Sequence, residues 1–173
     1  MPEDINTERT SEELSEIERK FDPEMAFRPT GKFFGFLITF VLVLMSAYHF
    51  YASGFGLVRE LLHRGIHLSF VLSLVFLLFS VVKSHEIEKA KAWYHLDGIS
   101  IIDVLLGSLA VTAALYLPLL PPEALAQRVG NPSPVDIVMG SALLLLTLEA
   151  TRRSVGSTLP IIALIFIGFA YFG

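Results

Sequence analysis

The chain has 173 residues, 53% of them hydrophobic and 17% charged, with a net charge of −4; its mean hydropathy is +0.62. A soluble domain carries about 25% charged residues, so this composition excludes an ordinary soluble globule and points to a membrane body. The absence of cysteine excludes disulfides, thiolate metal sites and cysteine nucleophiles, and no basic patch with interleaved aromatics supports a nucleic-acid partner.

Residues 1–31 hold nine acids and four bases, whereas the other 142 residues hold eight acids and nine bases. An acidic head therefore precedes a nearly neutral apolar body. The first 30 residues contain no apolar h-region, so no cleaved signal peptide is expected and the first span would direct insertion. Thr10 and Glu13 stand in capping-box spacing before Leu14, Ile17 and Phe21, which predicts a short amphipathic helix ended by Asp22-Pro23. The segment 1–31 reads as a solvated cytoplasmic lead-in.

Phe33 to Val58 gives 26 uncharged residues, more than the roughly 20 that a span requires. Gly65 to Val82 gives 18 more. Only Arg59 to Arg64 separates the two runs, so they predict a tight helical hairpin. Lys83 to Gly98 is polar, with Ile87, Ala90 and Tyr94 on one face and Trp93 beside them; this predicts an interfacial helix, with Trp93 and Tyr94 at the depth where amphipathic rings sit. Val104 to Pro122 gives 19 uncharged residues, a third span closed by Pro118, Pro121 and Pro122, and the loop onward to Pro134 reads as irregular.

The last stretch is decided by length. Between Asp136 and Glu149 there are 12 uncharged residues, about 18 Å of helix, short of a core of about 30 Å. A helix from Val135 to Arg153 has 19 residues and spans about 28 Å, but it draws Glu149 inside the boundary. There Glu149 is expected to pair with Arg152 or Arg153 at i+3 or i+4. Gly156 then breaks the helix, Ser157 or Thr158 caps a new one with Pro160 near its first turn, and a fifth apolar helix runs to Gly173.

The fold class is therefore an all-α polytopic membrane bundle. Four transmembrane helices occupy 32–153, an interfacial helix lies between the second and third, and a fifth apolar connecting helix occupies 154–173. With the N-terminus cytoplasmic, the inner segments carry Arg19, Lys20, Arg28, Lys32, Lys83, Lys89, Lys91, Arg152 and Arg153, against Arg59, Arg64 and Arg128 outside. Lysine and arginine bias thus favours that orientation.

Candidate chemistry is sparse. His49 and His67 fall near the outer ends of facing helices, as a bis-histidine haem site would require, and His63 and His67 have i, i+4 spacing suited to a metal pair. Against these stands an ordinary pair of interfacial side chains, favoured because no third or fourth ligand has sensible spacing. Asp97, Asp103 and Asp136 stand at helix starts, where carboxylates cap amide hydrogens. Glu149 reads either as a proton or cation relay or as a structural ion pair with its neighbouring arginines. Ser69 with Ser73, and Ala110 with Ala114, form small faces that let helices approach closely. No nucleophile elbow, P-loop, HExxH or dinucleotide fingerprint occurs, so no enzyme activity and no cofactor are expected.

The order of these features resembles the N-terminal part of the fused membrane permeases of tripartite ATP-independent periplasmic (TRAP) transporters, the TAXI branch especially. The matching stretches are FDPE at Phe21–Glu24, RGIHLSFVLSLVFLLF at Arg64–Phe79, WYHLD at Trp93–Asp97 and LEATRRSVGSTLPIIALIFIGFAYFG from Leu148 onward. The resemblance implies a small four-helix scaffold in a bacterial inner membrane. It would brace a larger module that carries substrate and coupling ion, with a periplasmic substrate-binding protein delivering an organic acid or amino acid. None of the family's substrate or sodium residues falls on these positions, and segment 154–173 would lead toward the larger module. The small membrane subunit of a tripartite tricarboxylate transporter has similar size and hydropathy. A haem- or quinone-binding electron carrier is the reading from another class. Glu149, Arg152, Arg153, Trp93, Tyr94, Asp97 and His67 are the candidate structural and interface residues.

Overall fold

The computed structural model describes residues 30–56, 59–80, 95–96 and 99–173. The acidic head before residue 30 and most of the expected interfacial helix, with Trp93, Tyr94 and Asp97, lie outside the described residues.

Helix α1 (Lys32–Phe55) and helix α2 (Glu60–Leu78) form the expected hairpin. Helix α1 stops short of Val58 because Gly56 takes the left-handed conformation, φ 61°, and its amide bonds back to the Ala52 carbonyl, a conformation glycine adopts without a Cβ penalty. Helix α2 begins at Glu60 rather than in the uncharged run from Gly65. Glu60 and Arg64 form an i, i+4 ion pair on its first turns, so the charges taken for a link are helical.

Beyond Phe79 the backbone returns as a two-residue antiparallel ladder. Strand β1 (His95–Leu96) pairs with strand β2 (Ile99–Ser100), His95 opposite Ser100 and Leu96 opposite Ile99. The interfacial helix predicted through Gly98 therefore does not extend to these residues. In sequence, Asp97-Gly98 is the two-residue hairpin signal that competes with it. Ser100 then caps helix α3 (Ile101–Tyr116), its hydroxyl accepting from the Ile102 amide. Helix α3 starts before the predicted Val104 and takes Asp103 into its first turn.

The segment predicted as irregular holds a short helix, α4 (Pro122–Arg128), with Pro121 at the cap position and Pro122 at the first helical position. There a missing amide hydrogen costs nothing, so the prolines that end one helix start another. Helix α5 (Pro134–Ser154) fits the length argument. It opens with a full capping box, Ser133 accepting from the Asp136 amide and Asp136 accepting from the Ser133 amide. Gly156, φ 99°, turns the chain into helix α6 (Thr158–Phe172). Ser157 holds the cap position there, but its hydroxyl makes no cap bond.

The described chain is thus mostly helical. Three of its helices, α1, α2 and α5, are long and apolar enough to cross a membrane, while α3 and α6 are shorter apolar helices. Helices α1 and α3 run one way and α2 and α5 the other, as their contacts require, which gives the bundle two ends: a hairpin end, where α1 meets α2, and an arginine end, where α5 finishes. Phe34 and Ile38 of α1 pack on Leu74 and Leu77 of α2 and on Ile99. Leu72 and Phe76 of α2 pack on Ala110 of α3 and on Leu146 and Ala150 of α5. Helices α2 and α3 approach most closely. A Cβ on Gly65 would lie 2.5 Å from Pro118 Cγ and 3.0 Å from the Ala114 carbonyl, so the small-residue spacing read from Ala110 and Ala114 serves this crossing. Large apolar side chains cover the outside, Phe36 and Phe50 on α1 and Phe169 and Phe172 on α6 among them, as expected of helices whose solvent is lipid.

Candidate functional site

The densest polar cluster sits at the arginine end. Arg153, in the last turn of α5, has a side chain only 1% exposed. Its Nη1 donates to Asp103 Oδ1 at 2.7 Å and to the Phe79 carbonyl at 3.4 Å, and its Nε donates to Glu149 Oε1 at 2.8 Å. The guanidinium carbon also lies 4.8 Å from the Phe76 ring centroid, a cation–π distance. Arg152 engages Glu149 from the other side, Nε to Oε2 and Nη2 to Oε1, both at 2.8 Å.

The arrangement has a physical logic. A lone buried guanidinium is costly, and removing charge from water is offset only by good geometry and full pairing. Among the described residues two arginines meet two carboxylates, so their formal charges balance. The fork of Arg152 matches the two oxygens of Glu149, the bidentate geometry that strengthens arginine–carboxylate pairs. The last turn of α5 also favours cations electrostatically. Asp103 is therefore a partner in an interhelical ion pair rather than a plain helix cap, the cap of α3 being Ser100. One network joins the end of α2, the start of α3 and the end of α5.

The hairpin end is built differently. His49 Nδ1 lies 2.7 Å from the Met45 carbonyl, and its Nε2 lies 2.9 Å from His67 Nδ1. The Tyr48 hydroxyl lies 2.9 Å from His63 Nδ1. A cleft of about 300 Å³ opens there, lined by His49, Ala52, Ser53, Gly56, Glu60 and His63. Nearby, Arg59 donates to the Pro118 carbonyl. Arg128 Nη1 reaches Asp136 Oδ1 at 2.6 Å and the Tyr116 hydroxyl at 3.0 Å, and that hydroxyl donates to the same Asp136 oxygen at 2.9 Å. These acceptors hold the Arg128 guanidinium above its ordinary range, the Tyr116 hydroxyl foremost, so Arg128 acts as a fixed cation joining α4 to α3 and α5.

Among the predicted site residues, Glu149, Arg152 and Arg153 are brought together, and Glu149 engages both arginines instead of one. His67 stands at the other end with His49, and the two rings meet across the hairpin edge to face, at 79°. Two imidazoles that hold one metal axially keep their nitrogens about 4 Å apart, twice a bond of about 2.0 Å. The direct 2.9 Å contact does not fit a haem iron between them. Among the described residues, no group of three or more metal-ligating side chains is gathered. Sequence reasoning missed Asp103 as the partner of Arg153, and it missed Tyr48, Tyr116 and Arg128. A signal for the first was present: alternation of the four expected spans would put the start of the third and the end of the fourth on one side.

Comparison with protein-family models, with curated proteins and with solved structures finds no match.

Proposed function

We propose that this chain is the scaffold module of a binding-protein-dependent secondary transporter in a bacterial inner membrane, of the TRAP type that its motif order resembles. In this reading four helices span, with the N-terminus cytoplasmic. Helix α3 makes its crossing with the apolar turn that follows it, Leu117 to Leu120. The module braces a larger transport module, which binds the solute, an organic acid or amino acid, handed over by a periplasmic protein. Helix α6, whose principal neighbour is α5 and whose circumference is apolar, faces that larger module.

The observation that carries the reading is the charge-balanced Arg153 network. A relay or solute site keeps a charged group available to its cargo, whereas Glu149 and Arg153 are committed to each other, to Arg152 and to Asp103. That is the economy of a brace. The small subunit of a tripartite tricarboxylate transporter fits the same observation and differs in its large partner, which the adjacent reading frame identifies.

Two measurements test the proposal. In proteoliposomes the chain alone takes up no succinate, citrate or glutamate under a sodium or a proton gradient; uptake by the chain alone overturns the scaffold reading. The chain is free of cysteine, so single Asn6→Cys and Asn131→Cys variants report topology in right-side-out vesicles. An impermeant maleimide is expected to label Asn131→Cys and to spare Asn6→Cys, and the reverse pattern contradicts the orientation.

A further inference from the structure

We propose that His49 and His67 form a one-proton site shared between α1 and α2, which holds the hairpin end closed while it carries no more than one added proton and releases it when a second arrives. The site does not depend on a transport role.

The tautomers follow from the partners. The Met45 carbonyl only accepts, so His49 Nδ1 carries a hydrogen and donates to it. In the neutral ring Nε2 is then a lone pair, and His67 Nδ1, 2.9 Å away, is the donor. His67 Nε2 is the remaining lone pair of the two rings. A first proton, delivered by hydronium from water, binds His67 Nε2 and breaks nothing. It turns His67 Nδ1–H···Nε2 of His49 into a charge-assisted bond. A second proton has only His49 Nε2 to occupy. Two N–H groups then oppose each other at hydrogen-bond distance, between two like charges, and the rings separate.

The surroundings suit this role. His49 lies six residues before the end of α1 and His67 seven residues after the start of α2, about 10 Å from the turn along either helix. If both helices span, the pair lies within the apolar layer, where ionisable groups mark functional sites by default. The cleft lined by His49, Ser53, Glu60 and His63 reaches the His49 side of the pair, and His67 is itself exposed. Among the described residues, the other titratable groups nearby are Tyr48 on α1 and Arg59, Glu60, His63 and Arg64 on α2. Glu60 is paired with Arg64, Tyr48 with His63, and Arg59 with the Pro118 carbonyl. From α3, among the described residues, comes only Tyr116, which is engaged by Asp136 and Arg128. The buried apolar packing of α1 is concentrated at Phe34 and Ile38, toward the other end. Among the described residues, the imidazole bond, the Tyr48–His63 bond and the ring contacts of Tyr48 with His63 and Phe70 therefore tie α1 to α2 at the hairpin end.

The test uses the full chain in lipid nanodiscs, with spin labels on Phe55→Cys and Leu61→Cys, both exposed positions. Imidazole nitrogen resonances from ¹⁵N-histidine labelling count the protons bound. The expected result is a label distance unchanged by the first proton and lengthened by the second. The His67→Gln variant, whose amide still donates to His49 but takes no proton, is expected to lose the lengthening. A constant distance through both uptakes overturns the proposal. So does a lengthening that persists in His67→Gln, or a His49 titration identical with and without His67.

Discussion

The two ends of the bundle solve the same problem in opposite ways. At the arginine end two arginines and two carboxylates meet around a guanidinium that is 1% exposed, with Asp103 buried beside it and Glu149 and Arg152 half-buried. At the hairpin end the interhelical contacts of α1 with α2 are made by hydroxyl and imidazole groups beside an open cleft. The first arrangement is costly to break, because its central pair, Arg153 with Asp103, is buried, and opening a buried pair leaves charge in a dry place. The second is cheaper to alter, because the α1–α2 contacts there are hydrogen bonds and ring contacts beside an open cleft, although Arg128 and Asp136 still pair α4 with α5 at that end. One end reads as fixed and the other as adjustable.

The largest expected effect comes from breaking the fixed end. Arg153→Leu takes the guanidinium away from the buried Asp103 and from Glu149, and a buried pair opened in this way costs about 3–5 kcal/mol, measured by reversible unfolding in mixed detergent micelles. Gly65→Ala comes next. Its new methyl meets Pro118 and the Ala114 carbonyl, and such overpacking costs about 1–3 kcal/mol in the same assay. A Pro118→Ala partner should recover part of the loss by giving the methyl room. Ser133→Ala removes the hydroxyl that caps α5, for about 1 kcal/mol, and slower amide exchange at Asp136 than at its neighbours should vanish with it. The smallest shift is expected from Tyr116→Phe, since Arg128 and Asp136 keep their own bond. An effect of Tyr116→Phe as large as that of Arg153→Leu would erase the contrast between the ends.

Much of the fold was legible because it follows from counting. Uncharged run lengths located the long helices, and the shortfall between Asp136 and Glu149 correctly drew Glu149 into α5 beside its arginines. What counting missed were positions where charge or proline belongs to a helix. Glu60 and Arg64 were read as a link because charges usually end spans, yet as an i, i+4 pair they extend α2. Pro121 and Pro122 were read as breakers, yet proline also begins helices. Asp103 was read as a cap, because periodicity along one helix says nothing about a cation 50 residues away on another. Tyr48 and His63 were separated by the hairpin turn and met only in three dimensions. The transport role itself rests on motif order and on the closed character of the Arg153 network, and no residue of this chain binds cargo in that reading.

The most direct test of the fixed end is a double-mutant cycle between Asp103 and Arg153, with stability measured in mixed micelles. Among the described residues, Asp103→Leu and Arg153→Leu each unbalance the cluster by one charge, whereas the double variant leaves Glu149 paired with Arg152. The account predicts that the double variant is more stable than either single variant. If the two losses simply add, the network is not the lock that joins α2, α3 and α5, and the brace reading loses its support.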